Sequence, residues 1–279
     1  MDKSLAPGLH IVATPIGNLG DLSPRAAEVL RNADRILVED TRVTAKLLAH
    51  VGAKVPMIRY DDHTTEPERD RIVALLGDQI VALVSDAGTP LISDPGYKLV
   101  RAARAAGHDV HTVPGPCAAI VALTLAGLPT DRFLFLGFLP AKAKARSDVI
   151  AEVGGVRATL VIYESGPRLS DTLSALAGQL GARDGAVTRE LTKLHEECVT
   201  GTLAELAERY ANASPKGEIV IVVGPPAEIA TVGDDVIDAM LDEALQRLSA
   251  SRAAAEVAER LKIPRKRVYA RALEKGGKN

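Results

Sequence analysis

The chain has 279 residues, 47% of them hydrophobic and 25% charged, with a formal net charge of −2. That length allows about two domains with sizeable cores, and the balance is that of a globular chain rather than a disordered one. The apolar stretches fall far short of the ~20 residues that span a bilayer, residues 1–10 lack the apolar core of a signal peptide, and Cys117 and Cys198 are too few for a disulfide framework or a cysteine-rich metal site, so a cytoplasmic protein is expected.

In chain order, the first half alternates short β-branched runs with amphipathic ones. Strands are predicted over 10–13, Arg35–Val38, 80–84 and Val110–Val113, and helices over 24–31, 41–50, 66–76 and 97–106. Strands separated by crossover helices imply an α/β architecture, a mostly parallel sheet with helices on both faces. Ligands bind outside the carboxyl ends of such strands. The loops at 14–21, 39–42, 85–96 and 114–118 all fall there.

The loop at 85–96, SDAGTPLISDPG, carries the most information. Its glycines and prolines stop regular structure and let backbone groups approach a ligand. Asp86 and Asp94 can accept hydrogen bonds from hydroxyls or an amine. Neither G-x-x-x-x-G-K-[ST] nor G-x-G-x-x-G is present, so the loop suits a nucleoside better than a phosphate. An ordinary strand-to-helix turn is the alternative.

Leu128-Pro129 breaks the pattern and opens a second half, with strands over Phe133–Phe138, 159–163, 186–188 and 219–223 and helices over 169–180 and 203–210. Gly224-Pro225-Pro226 ends it. Three segments result: an α/β domain over 1–127, a second over 128–228, and a helical module over 229–279. From 245 onward ten Lys/Arg stand against three acids, an excess of about +7 that can attract a polyanion. Just before it, Asp234, Asp235, Asp238, Asp242 and Glu243 form an acidic patch. Helices over 251–261 and 265–273, joined by Lys262-Ile263-Pro264, resemble a helix-turn-helix that presents Arg265, Lys266, Arg267 and Arg271 to nucleic acid. An amphipathic helical pair packed on the body or on a second subunit is the other reading. Asp61, Asp62 and His63 read as helix-capping residues rather than metal ligands, and no metal is expected.

TPIGNLGDLSPRA (14–26), EDTR (39–42), LVSDAGTPLISDPG (83–96), PGPCAA (114–119), GFLPAK (137–142), YES followed by Arg168, RELTK (189–193) and KGEIVIVV (216–223) occur in that order. Together they resemble the ribosomal RNA small-subunit methyltransferase I family, 2′-O-ribose cytidine methylases of 16S rRNA within the tetrapyrrole-methylase superfamily. The likeness covers nearly the whole chain. It implies two α/β domains with a ligand cleft between them, S-adenosylmethionine as methyl donor, rRNA or the small subunit as partner, and a homodimer. One position departs: Pro167 stands where the family usually has His, so no role of that His carries over.

On that resemblance, Pro15, Ser85, Asp86, Ala87, Gly88, Thr89, Leu91, Ile92 and Asp94 line the donor, and Pro116, Cys117 and Ala118 start a helix whose amide end suits an anionic or acceptor group. Cys117 reads as a wall residue, with a nucleophilic role as the alternative. Phe138, Leu139, Gly217 and Glu218 close over the adenine. A ribose hydroxyl is weakly acidic, so a nearby base helps it attack. Glu39, Asp40, Glu164 and Glu190 are the candidates, with pairing to a nearby arginine to brace the loops as the alternative for each. Arg42, Arg168, Arg189 and Lys193 are suited to phosphates, and Lys142, Lys144 and Arg146 to guiding RNA. Two rival functions remain: a tetrapyrrole or other small-acceptor methylase, and a non-catalytic RNA-binding assembly protein.

Overall fold

The computed structural model describes residues 5–227, 233–261 and 263–276. By its contacts the chain divides into two units, Met1–Pro226 and Ala227–Asn279. The first unit holds two five-stranded sheets.

Strands β1 (Gly8–Val12), β2 (Arg35–Val38), β3 (Met57–Arg59), β4 (Ile80–Leu83) and β5 (Val110–Val113) form the first sheet in the order β3-β2-β4-β1-β5. Every pair is parallel. Alternation along each strand feeds two cores. Val12, Ile36 and Val38 meet Val29 and Leu30 of α1 (Pro24–Asn32) and Leu47 and Leu48 of α2 (Thr41–Val51). Leu9, Leu37 and Leu83 meet Ile72 of α3 (Glu66–Leu75) and Leu99 of α4 (Tyr97–Ala105) on the other face. Ser23 starts α1, its Oγ accepting from the Ala26 amide at 3.1 Å, with Pro24 in the first turn where its missing N–H costs nothing.

α5 (Ala118–Leu125) leaves the first sheet. Its Ala119, Ala122 and Leu123 pack with Val161, Ala186, Val220 and Val222 of the second sheet. That sheet runs β6 (Phe133–Phe138), β7 (Thr159–Ser165), β10 (Glu218–Val223), β8 (Asp184–Arg189), β9 (Glu197–Thr202). Only β6 and β7 are parallel; the other pairs are antiparallel. Leu160, Ile162, Ile219 and Ile221 point to the opposite face, onto Ile150 of α6 (Ala143–Val153), Leu169 and Leu173 of α7 (Gly166–Leu180) and Leu206 of α8 (Leu203–Tyr210). Pro167 sits in the first turn of α7, a position that tolerates proline. A capping box starts α8, with Thr202 Oγ1 accepting from the Glu205 amide and Glu205 accepting from the Thr202 amide.

Two strands escape the sequence pattern. β3 has only three residues, and β9 (ECVTGT) is a half-polar edge strand with little apolar run to detect.

The second unit is a three-helix cluster: α9 (Asp234–Leu245), α10 (Ala250–Leu261) and α11 (Arg265–Gly276), around Ile237, Leu241, Ala253, Val257, Val268 and Ala272. α9 was legible only as an acidic patch. Its acids pair one turn at a time with α11: Asp234 with Arg267 at 2.7 Å, Asp238 with Arg271, and Asp242 with Lys275 at 2.6 Å. The basic excess expected of this module is thus met in part from within the unit. From Gly233 onward ten Lys/Arg face eight Asp/Glu, and much of that charge is neutralised inside the unit. Lys262 and Lys278, counted in the basic excess, lie outside the described residues. Among the described residues no helix is long and apolar enough to cross a membrane.

Candidate active site in the cleft between the sheets

The carboxyl ends of β1, β4 and β5 carry three loops that hold one another. The Thr14 amide donates to the Gly88 carbonyl at 2.9 Å, and the Gly88 amide returns a bond to Thr14 at 3.1 Å. Thr89 Oγ1 donates to the Pro116 carbonyl at 2.9 Å, tying the 85–96 loop to the start of α5. Gly88 has φ +83, a backbone that favours glycine, and a Cβ there would crowd Ile16 Cγ2 at 3.2 Å. Across the cleft Gly137 has φ +61 at the β6 irregularity, and a Cβ on it would lie 2.9 Å from Ser93 Oγ. The GFLP motif is thereby fitted against the 85–96 loop.

These elements enclose a cavity of about 410 Å³, a size suited to a nucleoside-bearing ligand. The first sheet contributes Ile16, Glu39, 86–89 and 92–94, and α5 contributes Cys117 and Ala118. The second sheet contributes Phe138, 163–165 and 217–220. Asp86, Ala87, Gly88, Thr89, Ile92, Asp94, Cys117, Ala118, Phe138, Gly217 and Glu218 therefore meet in one place, as the motifs imply. Phe138 is 56% exposed and lies edge-on to Tyr163, centroids 5.6 Å apart.

Five expected wall residues do other work. Ser85 is buried, and with Pro15 it faces a neighbouring cavity. Pro116 serves as the acceptor for Thr89. Leu91, at φ +74, packs toward Leu83 and Leu99. Leu139 is buried in the core under the second sheet, and its carbonyl accepts from Arg168.

The acids separate by environment. Asp40 caps α2, accepting from the Arg42 amide at 2.8 Å and its guanidinium at 2.6 Å, which hold its pKa down to about 2. Glu164 is fully buried and accepts from the Ser165 amide at 2.8 Å and Thr172 Oγ1 at 2.6 Å, with Arg168 3.4 Å away. Glu190 accepts from Lys193 at 2.9 Å and from the Glu218 amide at 3.2 Å, and the lysine bond lowers its pKa. All three brace loops. Glu39 differs: its side chain has no hydrogen-bond partner among the described residues, and burial, reinforced by Asp86 and Asp94, raises its pKa. Burial likewise raises Asp86, opposed by a bond from the Asp40 amide, and raises Asp94. Three carboxyls strained by burial and mutual repulsion are stabilised by a cation placed among them.

Tyr163, Ser165, Ile16, Ser93, Ile219 and Val220 also line the cavity and were not singled out. A signal existed for Tyr163 and Ser165: strand alternation places them on one face of β7 and Glu164 on the other. Tyr163 is held between Phe135 and Phe138, and its hydroxyl accepts from the Ala119 amide at 3.2 Å. Its own proton is left for another acceptor, and burial raises its pKa. Nothing in one sequence pairs β10 with β7, so Ile219 and Val220 were invisible.

Most of the expected RNA-contacting cations have partners. Arg42 and Lys193 pair as above, Arg146 is buried beside Asp171, Arg189 bonds Glu197, and Arg265 bonds Ser251. Lys142 and Lys266 are exposed, and so is Lys144, which pairs with Asp148. Asp61 pairs with Arg59 and accepts from the His63 amide in a local turn; it caps no helix. Among the described residues no group of His, Cys, Asp and Glu is arranged to hold a metal ion.

Two α/β sheets closing on an acid-lined cavity at strand carboxyl ends are the arrangement of a methylase class. The family model for Tetrapyrrole (Corrin/Porphyrin) Methylases matches residues 8–207, and the one for the RsmI C-terminal HTH domain matches residues 230–276. A protein of Erythrobacter litoralis named ribosomal RNA small subunit methyltransferase I is 55% identical over 98% of this chain and 96% of its own length. The chain belongs to the ribosomal RNA small subunit methyltransferase I family. In fold it is similar to diphthine synthase (TM-score 0.62, 16% identity, 77% of this chain and 89% of that one). It is also similar to uroporphyrin-III C-methyl transferase from Thermus thermophilus complexed with S-adenyl homocysteine (TM-score 0.53, 20% identity, 78% and 97%).

Proposed function

We propose that the chain methylates the ribose 2′-hydroxyl of a cytidine in 16S rRNA, with S-adenosylmethionine as donor. The observation that carries this reading is the convergence of Glu39, Asp86 and Asp94 on the cavity beside Phe138, Tyr163 and the start of α5. Those groups fit the donor's chemistry. The carboxylates suit its sulfonium and ammonium charges, the exposed Phe138 ring suits the flat adenine, and the Ala118 amide at the positive end of α5 suits its carboxylate. The similarity to the Thermus enzyme, whose structure holds S-adenyl homocysteine, supports the same ligand here. Bound there, the donor supplies an already electrophilic methyl group, so the protein's task is to align the acceptor and exclude water. Asp40, Glu164 and Glu190 fix loops around that cavity, which leaves Glu39 as the unbraced member of the four candidate acids.

The division 1–127, 128–228 and 229–279 then assigns donor loops, cleft closure and RNA contact in turn. Within the last segment, contact would rest on the exposed Arg252, Arg260, Arg265 and Lys266, since Arg267, Arg271 and Lys275 serve the α9 pairing. The reading includes a cytoplasmic homodimer; sedimentation tests the dimer. The central test is transfer of labelled methyl to naked 16S rRNA, to small subunits and to a porphyrinoid, followed by nucleoside mass spectrometry. Label on 2′-O-methylcytidine is expected. Label only on the porphyrinoid, or on a base, would overturn the proposal.

A further inference from the structure

A second cavity, about 330 Å³, opens beside the first. The two share Ile16, Asp86, Ala87 and Glu218, so the segment at 86–87 is a wall common to both. The Thr14–Gly88 bridge pins that wall in place.

The far side of this second cavity is unlike the first. It is lined by Leu19, 46% exposed, and Val43, 39% exposed, with Leu47 and the buried Thr44 beneath. Exposed branched side chains facing one recess suit a flat, partly apolar group that slides between them. Lys46 lies at its edge, exposed and without an ion pair among the described residues, where it can meet a phosphate. At the shared wall Asp86 Oδ1 accepts from the Asp40 amide at 3.1 Å, and Oδ2 has no hydrogen-bond partner among the described residues.

We propose that this second cavity receives the acceptor: a single ribonucleoside turned out of its RNA strand, its base against Leu19 and Val43, a flanking phosphate toward Lys46, and its 2′-hydroxyl on Asp86 at the wall facing the donor. This assignment rests on the ribose-methylation reading above. It explains two features that the donor cavity does not use, an apolar recess left open to solvent and a lysine beside it without an ion pair among the described residues, and it gives Asp86, shared by both cavities, an acceptor-side partner. Turning the nucleoside out of its stack lets its ribose enter the recess beside the donor, the same movement by which enzymes acting on a base reach their target atom.

The test uses the full chain with 16S rRNA in which cytidine is replaced by a photoreactive cytidine analogue, irradiated with S-adenosylhomocysteine bound. Adducts mapped by mass spectrometry are expected at Leu19 or within 42–47. Val43→Trp, which fills the recess, is expected to lower methyl transfer to the RNA about tenfold or more while calorimetric affinity for S-adenosylhomocysteine is retained. Lys46→Ala is expected to reduce the salt dependence of RNA binding. If the wild-type chain methylates RNA but adducts fall only elsewhere and Val43→Trp transfers methyl normally, the acceptor placement is overturned and the ribose reading stands. If the wild-type chain labels only a porphyrinoid, both fall together.

Discussion

Glu39 is the side chain whose environment most exposes it to change. Its carboxyl is raised by burial and by Asp86 and Asp94, so it protonates at higher pH than an ordinary glutamate. Attraction for a cationic ligand is complete well above that raised value and is lost as pH falls through it. S-adenosylmethionine affinity should therefore weaken on acidification more than that of S-adenosylhomocysteine, which lacks the sulfonium charge, and Glu39→Gln should remove much of the difference; paired calorimetric titrations check this. His10 shows the opposite sign. It is buried beside His111, ring centroids 4.6 Å apart, and burial lowers its pKa. Unfolded His10 takes up a proton near the ordinary value of about 6.5, so its contribution to stability is full above that value and falls as pH drops toward the lowered one. Melting temperature should fall on acidification in this window, and less in His10→Gln. Neither environment was visible in the sequence, where His10 was one strand residue and Glu39 one of four equal candidates.

At the scale of elements, glycine positions report the fit between segments. Gly137→Ala meets both a left-handed backbone and Ser93, which together should cost about 1–3 kcal/mol. Ser93→Ala should recover the steric share in the double variant, and denaturant midpoints of the three chains test this. A recovery of nothing would mean that the backbone angle alone sets the cost. In the C-terminal unit the α9–α11 ladder should behave electrostatically. Asp238→Asn removes the charged partner of Arg271 and leaves the Asp238 carbonyl that accepts from Lys275, so melting of that unit should shift down, with a smaller shift at high salt. The sequence displayed this ladder as two separate blocks of opposite charge, and their spacing along two helices makes them partners. Lone blocks suggest outside partners; folding here supplies an inside one.

For the whole molecule, the two units divide the work. Removal of residues 234–279 is expected to weaken RNA binding while S-adenosylhomocysteine affinity stays unchanged, because the donor cavity lies wholly within Met1–Pro226. Unchanged RNA affinity would show that the module serves another purpose.

The sequence by itself determined the parallel first sheet, the loops at its carboxyl edge and the loop motifs of the donor cavity. Those features are local: hydrophobic period, turn residues and contiguous motifs all act within a few positions. Tertiary structure alone decided the rest. It set the antiparallel register that brings Ile219 and Val220 to the cavity, turned Glu164 inward and Tyr163 outward, bonded Glu190 to the Glu218 amide, and neutralised much of the basic tail. Pairings across 20 or more positions depend on how separate elements pack, and no single residue or period encodes that. The 85–96 loop announced a nucleoside-sized site from its own residues, and only the fold showed that the same loop is a wall between two cavities.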